Sequence, residues 1–205
     1  NLVPLDTAYW FGKAPQTLIA AASTHPGEEA LIAGTFKKLL ADHPEAGLVI
    51  VPRHAERGTE VEDILKSLEL ASCRKSLQTP PAVPVQVLLA DTTGEMLSIM
   101  QASDIVIMGK SLAGQDEGHN LIEPALLDKP IVTGAVLKNF RFVQQVLRDA
   151  DALAEVHQDN ELATVLDRLL RDENARRELG KRGGEAIRKN AGAICRTLDL
   201  LDDLK

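Results

Sequence analysis

Five short polar clusters in this chain carry side chains able to hold an anion or a polyol. The first is Ser23-Thr24-His25-Pro26-Gly27-Glu28-Glu29, which follows an apolar run and leads into a helical pattern. Free backbone N–H groups and the positive dipole end favour an anion at such a helix start, although Ser or Thr with Glu behind it also makes an ordinary capping turn. The second is Pro52-Arg53-His54. A guanidinium there can make two parallel charge-assisted bonds to a phosphate, or can pair with Glu56 or Asp63 at the surface. Asp91-Thr92-Thr93-Gly94-Glu95 is the third, an acidic and hydroxyl-rich turn that capping alone can explain. The fourth, Gly109-Lys110-Ser111, invites a P-loop reading, but GxxxxGK[ST] needs glycine at 104 where Asp104 stands. In the fifth, Gly118-His119-Asn120-Leu121-Ile122-Glu123-Pro124, a flexible glycine leads into a helix whose first turn carries a carboxylate. Glu123 can accept both hydroxyls of a ribose, or simply complement the helix dipole.

The histidines are His25, His43, His54, His119 and His157, with no HxxxH or HExxH pair, so a helical metal site is not supported. His25, His54 and His119 each follow an apolar run. Their convergence on one cleft points to a polar ligand site more strongly than any one cluster does.

Convergence requires a scaffold. Apolar runs at 17–22, 47–51, 85–89, 104–108 and 130–133, and a weaker one at 152–156, alternate with helical spacing at 28–41, 56–70, 94–102, 121–127 and 139–150. That alternation predicts an α/β fold, a Rossmann-like parallel sheet with helices on both faces. Ligands of such sheets bind beyond the carboxyl ends of the strands, where the clusters stand. Segments 161–171 and 173–190 read as charged packing helices with Asp172 as N-cap between them, and 191–205 as an amphipathic helix needing a partner surface. The stretch 78–84, with three prolines, reads as a connection into the third strand.

With 205 residues, 44% of them hydrophobic and 26% charged, the chain has the composition of one ordinary globular domain. Aromatic residues make up only 3%, so the core must be aliphatic. A formal charge of -7 argues against a nucleic-acid partner and requires any anion site to be local. Cys73 and Cys195 belong to no zinc or disulfide pattern, which suits a reducing compartment. No apolar run is long enough to span a bilayer, so the chain as it stands is expected to be soluble. The opening Asn1-Leu2-Val3-Pro4-Leu5 reads as an interdomain linker, making 1–15 a linker remnant and 16–205 the domain.

Taken in order, the five clusters with Val51, Leu112 and the later Asn139-Phe140 resemble the donor-binding half of bacterial Kdo transferases, the 3-deoxy-D-manno-octulosonic acid transferases. The ordered set is more specific than any member and covers nearly the whole chain. The resemblance implies the C-terminal half of a GT-B glycosyltransferase, with CMP-Kdo as donor and a lipid A precursor as acceptor. It implies inverting transfer without a cofactor or metal, and a base supplied by an N-terminal domain absent here. The parent would act at the cytoplasmic face of the bacterial inner membrane. By the same resemblance Arg53, beside His54, meets the CMP phosphate, Glu123 meets the ribose, and Gly118, His119 and Asn120 shape the loop around the nucleotide. Ser23, Thr24, His25 and Glu28 face the donor across the cleft floor, and Ser111 belongs to the same binding set.

Two departures stand out. The segment from Ser111 to Asn120 is one residue longer than the family spacing, and Glu117-Gly118 stands where a glycine pair is expected. A carboxylate beside a phosphate is costly unless it points away. Gly134-Ala135 also stands where Gly-Pro is common, leaving that turn less rigid. Two other function classes fit the residues less closely: a GT-B domain or epimerase for a UDP- or GDP-sugar, and a non-catalytic regulatory or interaction module.

Overall fold

The computed structural model describes residues 3–192. Seven parallel strands form one sheet: β1 Thr17–Thr24, β2 Ala46–Pro52, β3 Ser72–Arg74, β4 Val87–Leu89, β5 Ile105–Met108, β6 Ile131–Gly134 and β7 Leu153–Val156. Their spatial order is β3-β4-β2-β1-β5-β6-β7. The order reverses between β1 and β5, so the loops after β1 and β5 part there and leave a crevice at the carboxyl end of the sheet.

Strand periodicity divides the core into two layers. Ile19 and Ala21 of β1 point to one face with Leu48 and Ile50 of β2, against α2 Glu28–Leu39, α3 Gly58–Ser67 and α7 Leu162–Arg171. The intervening Leu18, Ala20 and Ala22 point to the other face, covered by α1 Thr7–Phe11, α4 Met96–Ala102, α5 Ile122–Leu126, α6 Arg141–Asp149 and α8 Glu173–Lys189. The core is aliphatic, with Phe11 and Phe36 the two fully buried aromatic rings among the described residues. Burial of strands on both faces explains why they read as near-continuous apolar runs.

The helix and strand alternation of the sequence is observed, with ends trimmed by one to three residues in most elements. One strand was not anticipated. β3 spans only three residues and carries Ser72 and Arg74 at its ends, so it has no apolar run to betray it; it exists because β4 offers it a parallel edge. The helix expected over 56–70 begins as a single 3-10 turn, Ala55–Arg57, before α3. Within the segment expected to be linker, α1 is capped by the Asp6 side chain and buries Phe11 in the core. Asp172 caps α8 as anticipated, its carboxylate accepting from Ala175 N at 2.9 Å. The amphipathic helix expected over 191–205 lies almost wholly outside the described residues. Among the described residues no helix is long and apolar enough to cross a membrane.

Candidate functional site

At the carboxyl end of β1 the chain must leave the sheet while passing close to the loop after β5. Ser23 adopts φ 54°, and the pairing with β2 shifts register between Ala22 and Thr24. Gly109 makes the approach possible, since a Cβ there would sit 2.2 Å from the Ser23 carbonyl oxygen. Lys110 follows with φ 60°. Two left-handed non-glycine residues facing each other across a switch point mark a place where the surrounding fold holds local strain.

What holds them is Glu28. Its side chain is fully buried, and its two oxygens accept from four backbone N–H groups: His25 and Lys110 on Oε2, at 2.9 and 2.8 Å, and Ser111 and Leu112 on Oε1, both at 2.9 Å. Glu28 was expected to face the donor; instead its carboxylate fills an anion-binding turn from beneath and ties the two loops together. Thr24 is likewise fully buried and donates to Glu29 Oε1 at 2.9 Å. Ser111 is buried too, donating to the Met108 carbonyl at 2.7 Å and accepting from Gly134 N at 3.0 Å. These three side chains are committed to the protein because polar groups at that depth must be satisfied internally. They support the cleft floor and do not line it.

Sequence reasoning also passed over Glu29 and Arg57. Glu29 is fully buried, and Arg57 donates to it through both terminal nitrogens, at 2.6 and 3.3 Å. This pair fastens the start of α2 to the turn after β2. The adjacency of two glutamates after His25 hinted at it, but the partner, 28 positions away, could not be picked from a sequence holding many arginines.

Above this floor lies an open pocket of about 270 Å³. Ser23, Arg53 and Glu123 line it with Thr92, Thr93 and Met96, so the loops after β1, β2 and β4 meet the start of α5. Arg53 is exposed and forms no ion pair among the described residues. The surface pairing with Glu56 or Asp63 is not observed; Glu56 sits 3.7 Å from His54 Nδ1 instead. The Arg53 guanidinium and the exposed carboxylate of Glu123 give the pocket one anion-seeking end and one hydroxyl-seeking end.

Beside Arg53 the three histidines converge. His25 and His119 meet Nε2 to Nε2 at 2.9 Å, and the His54 ring centre lies 6.1 Å from that of His25. Burial pushes His119 down to about 4, aided by the positive fields of His25, Arg53 and Lys110. Burial also lowers His25, with Lys110 and His54 adding to it. Gly118, φ 75°, packs against Leu137 and donates to the Lys110 carbonyl, which swings His119 toward His25. Asn120 accepts from Ile122 N at 3.0 Å, just ahead of the first turn of α5 that carries Glu123.

Glu117 forms an ion pair with Lys110 that holds its carboxyl below the ordinary range. The charge that seemed awkward beside a phosphate is therefore matched locally. Lys110 is the residue that answers it, and the rejected P-loop pattern had given no reason to expect that. Asp104, where a P-loop glycine would stand, lies at the amino end of β5 and accepts from Leu18 N at 2.7 Å, far from the crevice.

A Rossmann-like sheet with its polar site at the switch point is the architecture shared with solved domains of GT-B glycosyltransferases. No protein-family model matches the chain. Its sequence is 35% identical to a 3-deoxy-D-manno-octulosonic acid transferase of Haemophilus influenzae over 96% of the chain, and 34% identical to one of Bordetella pertussis over 95% of it. The chain spans 46% of the length of each of these relatives. Among solved structures, the C-terminal CMP-Kdo binding domain of WaaA from Acinetobacter baumannii superposes with a TM-score of 0.77 at 28% identity, covering 83% of this chain and 89% of that one. The C-terminal domain of the glycosyl transferase LpcC from Francisella tularensis, at 15% identity and a TM-score of 0.61, shares the fold over 93% of this chain and 95% of its own. Over nearly its whole length the chain is thus similar in sequence to 3-deoxy-D-manno-octulosonic acid transferases, and in fold to the C-terminal domain of WaaA.

Proposed function

We propose that this chain is the donor-binding domain of a glycosyltransferase that moves Kdo from CMP-Kdo to a lipid A precursor in lipopolysaccharide synthesis. The observation that carries the reading is the pocket in which an ion-pair-free Arg53 faces Glu123 across the carboxyl ends of β1, β2 and β4. Arg53 binds the phosphate of the donor, and Glu123 accepts the ribose hydroxyls of its cytidine. Ser23 and the 118–120 turn frame the nucleotide, while Thr24, Glu28 and Ser111 hold that frame from below. Transfer is inverting and metal-independent, with the base and acceptor site supplied by an N-terminal domain; the parent works at the cytoplasmic face of the inner membrane. Positioning a base and an acceptor against the donor needs both halves, so the chain by itself binds donor without turnover.

Calorimetry with CMP tests this. The chain should bind CMP in preference to UDP and GDP, and Arg53→Ala should weaken CMP binding by about tenfold or more, the loss of a charge-assisted phosphate contact. Equal binding by Arg53→Ala would overturn the phosphate role, and a preference for UDP or GDP would move the reading to another nucleotide sugar. Glu117, the carboxylate that departs from the family pattern in this loop, is paired with Lys110, which supports an anion site beside it.

A further inference from the structure

The contact between His25 and His119 has a proton count. Their Nε2 atoms lie 2.9 Å apart while the ring centres are 5.1 Å apart with 25° between planes, so the imidazoles meet end to end. One Nε2 must carry hydrogen and the other must be bare. A first added proton goes to the outer Nδ1 of the donating ring, leaving an imidazolium bonded to an imidazole with the contact intact. A second would place hydrogen on both facing nitrogens and break it. The pair therefore has room for one extra proton.

The surroundings decide when that proton arrives. From the loop after β5 comes Lys110, which is paired with Glu117. From the turn after β2 come His54, Arg53 and Arg57, the last paired with the buried Glu29 of α2. Glu28, beneath, is consumed by backbone N–H groups, one of them that of His25. Lys110 and Arg57 thus each have an ion-pair partner, and Arg53, which shares the pocket with Glu123 of α5, has none among the described residues. Burial and these cations oppose the extra proton on both histidines. An anion attracted to Arg53 reverses the local field and favours protonation.

We propose that the His25–His119 pair takes up one proton from solvent when a phosphodiester binds beside Arg53, so that the site binds its anion and a proton together. The inference rests on the donor-site reading above and adds to it a charge-matching role for two histidines. No covalent bond is made or broken; one proton moves from water to an imidazole Nδ1.

The probe is cytidine 5′-methyl phosphate, a phosphodiester that, unlike CMP, has no phosphate proton to exchange near neutral pH. Titration calorimetry at about pH 6 in buffers of different ionisation enthalpy counts the protons exchanged on binding. About one proton should be taken up, and affinity should fall by up to about tenfold per pH unit as pH rises from the pKa of the free pair to that of the loaded pair, levelling off above it. His119→Gln and, independently, His25→Gln should abolish the uptake while keeping the protein folded by circular dichroism. Wild-type binding without proton uptake, or unchanged uptake in both variants, overturns the proposal and leaves the donor-site reading standing. Failure of the wild type to bind the probe at any pH overturns both.

Discussion

A single carboxylate decides whether the candidate site exists. Glu28 accepts four backbone hydrogen bonds, one from His25 nearby and three from Lys110, Ser111 and Leu112 in the loop after β5, with Ser111 83 positions from Glu28. Replacing it with glutamine would set an NH₂ donor against N–H donors and strip the charge from the remaining bonds. Glu28→Gln should therefore destabilise the fold by about 2–4 kcal/mol in urea denaturation, the range for orphaned buried partners of a charged acceptor. From sequence, Glu28 and Glu29 look alike as first-turn glutamates facing a cleft. Their burial separates them from Glu123, which lines the pocket, and burial is a property of the neighbours and not of the residue type.

At the level of elements, the loops depend on close approaches that side chains would block. Gly134 ends β6 against the loop after β5, where a Cβ would lie only 1.8 Å from the Ser111 carbonyl oxygen. Gly134→Ala should cost about 1–3 kcal/mol of stability by overpacking. If the site is the donor pocket, the substitution should also weaken nucleotide binding, because Ser111 and Glu28 move together. Strand β4 shows a different device. Burial pushes the Asp91 carboxyl up, but bonds from Ser76 and Arg74 together outweigh it and leave it below the ordinary range. Arg74 comes from β3, so the short edge strand fixes the turn that leads to Thr92 and Thr93 at the pocket. The sequence showed Asp91 only as a capping residue, since its partners Arg74 and Ser76 lie at the end of and just after a strand with no apolar signature.

For the whole molecule the histidine cluster has a thermodynamic consequence. His119, pushed down to about 4, is neutral in the folded state where the unfolded chain, at the ordinary histidine value of 6.5, binds a proton. The sign follows: the unfolded state binds more protons below that value, so stability holds above about pH 6.5 and declines as pH falls toward about 4. Denaturation midpoints measured across this window should slope by at most about 1.4 kcal/mol per pH unit for this one group, and His119→Gln should flatten the slope. Carboxylates held below their ordinary range, such as Asp91 and Glu95, add a further loss at lower pH. A wild-type profile flat from neutrality to about pH 4 would contradict the buried histidine contact.

The sequence by itself determined the α/β alternation, the strand ends on which polar clusters stand, and the family those clusters resemble. Apolar runs and helical spacing are local properties, and a parallel sheet buried on both faces leaves them little choice. Only the tertiary structure divided the polar residues into those that line the pocket, such as Ser23, Arg53 and Glu123, and those that hold it up, such as Thr24, Glu28 and Ser111. Only it matched Glu117 with Lys110 and brought His25 against His119, 94 positions away. The reason is physical. Which polar group faces solvent and which faces a backbone N–H depends on what the other loops bring to the same point, and the strand order of the sheet sets that.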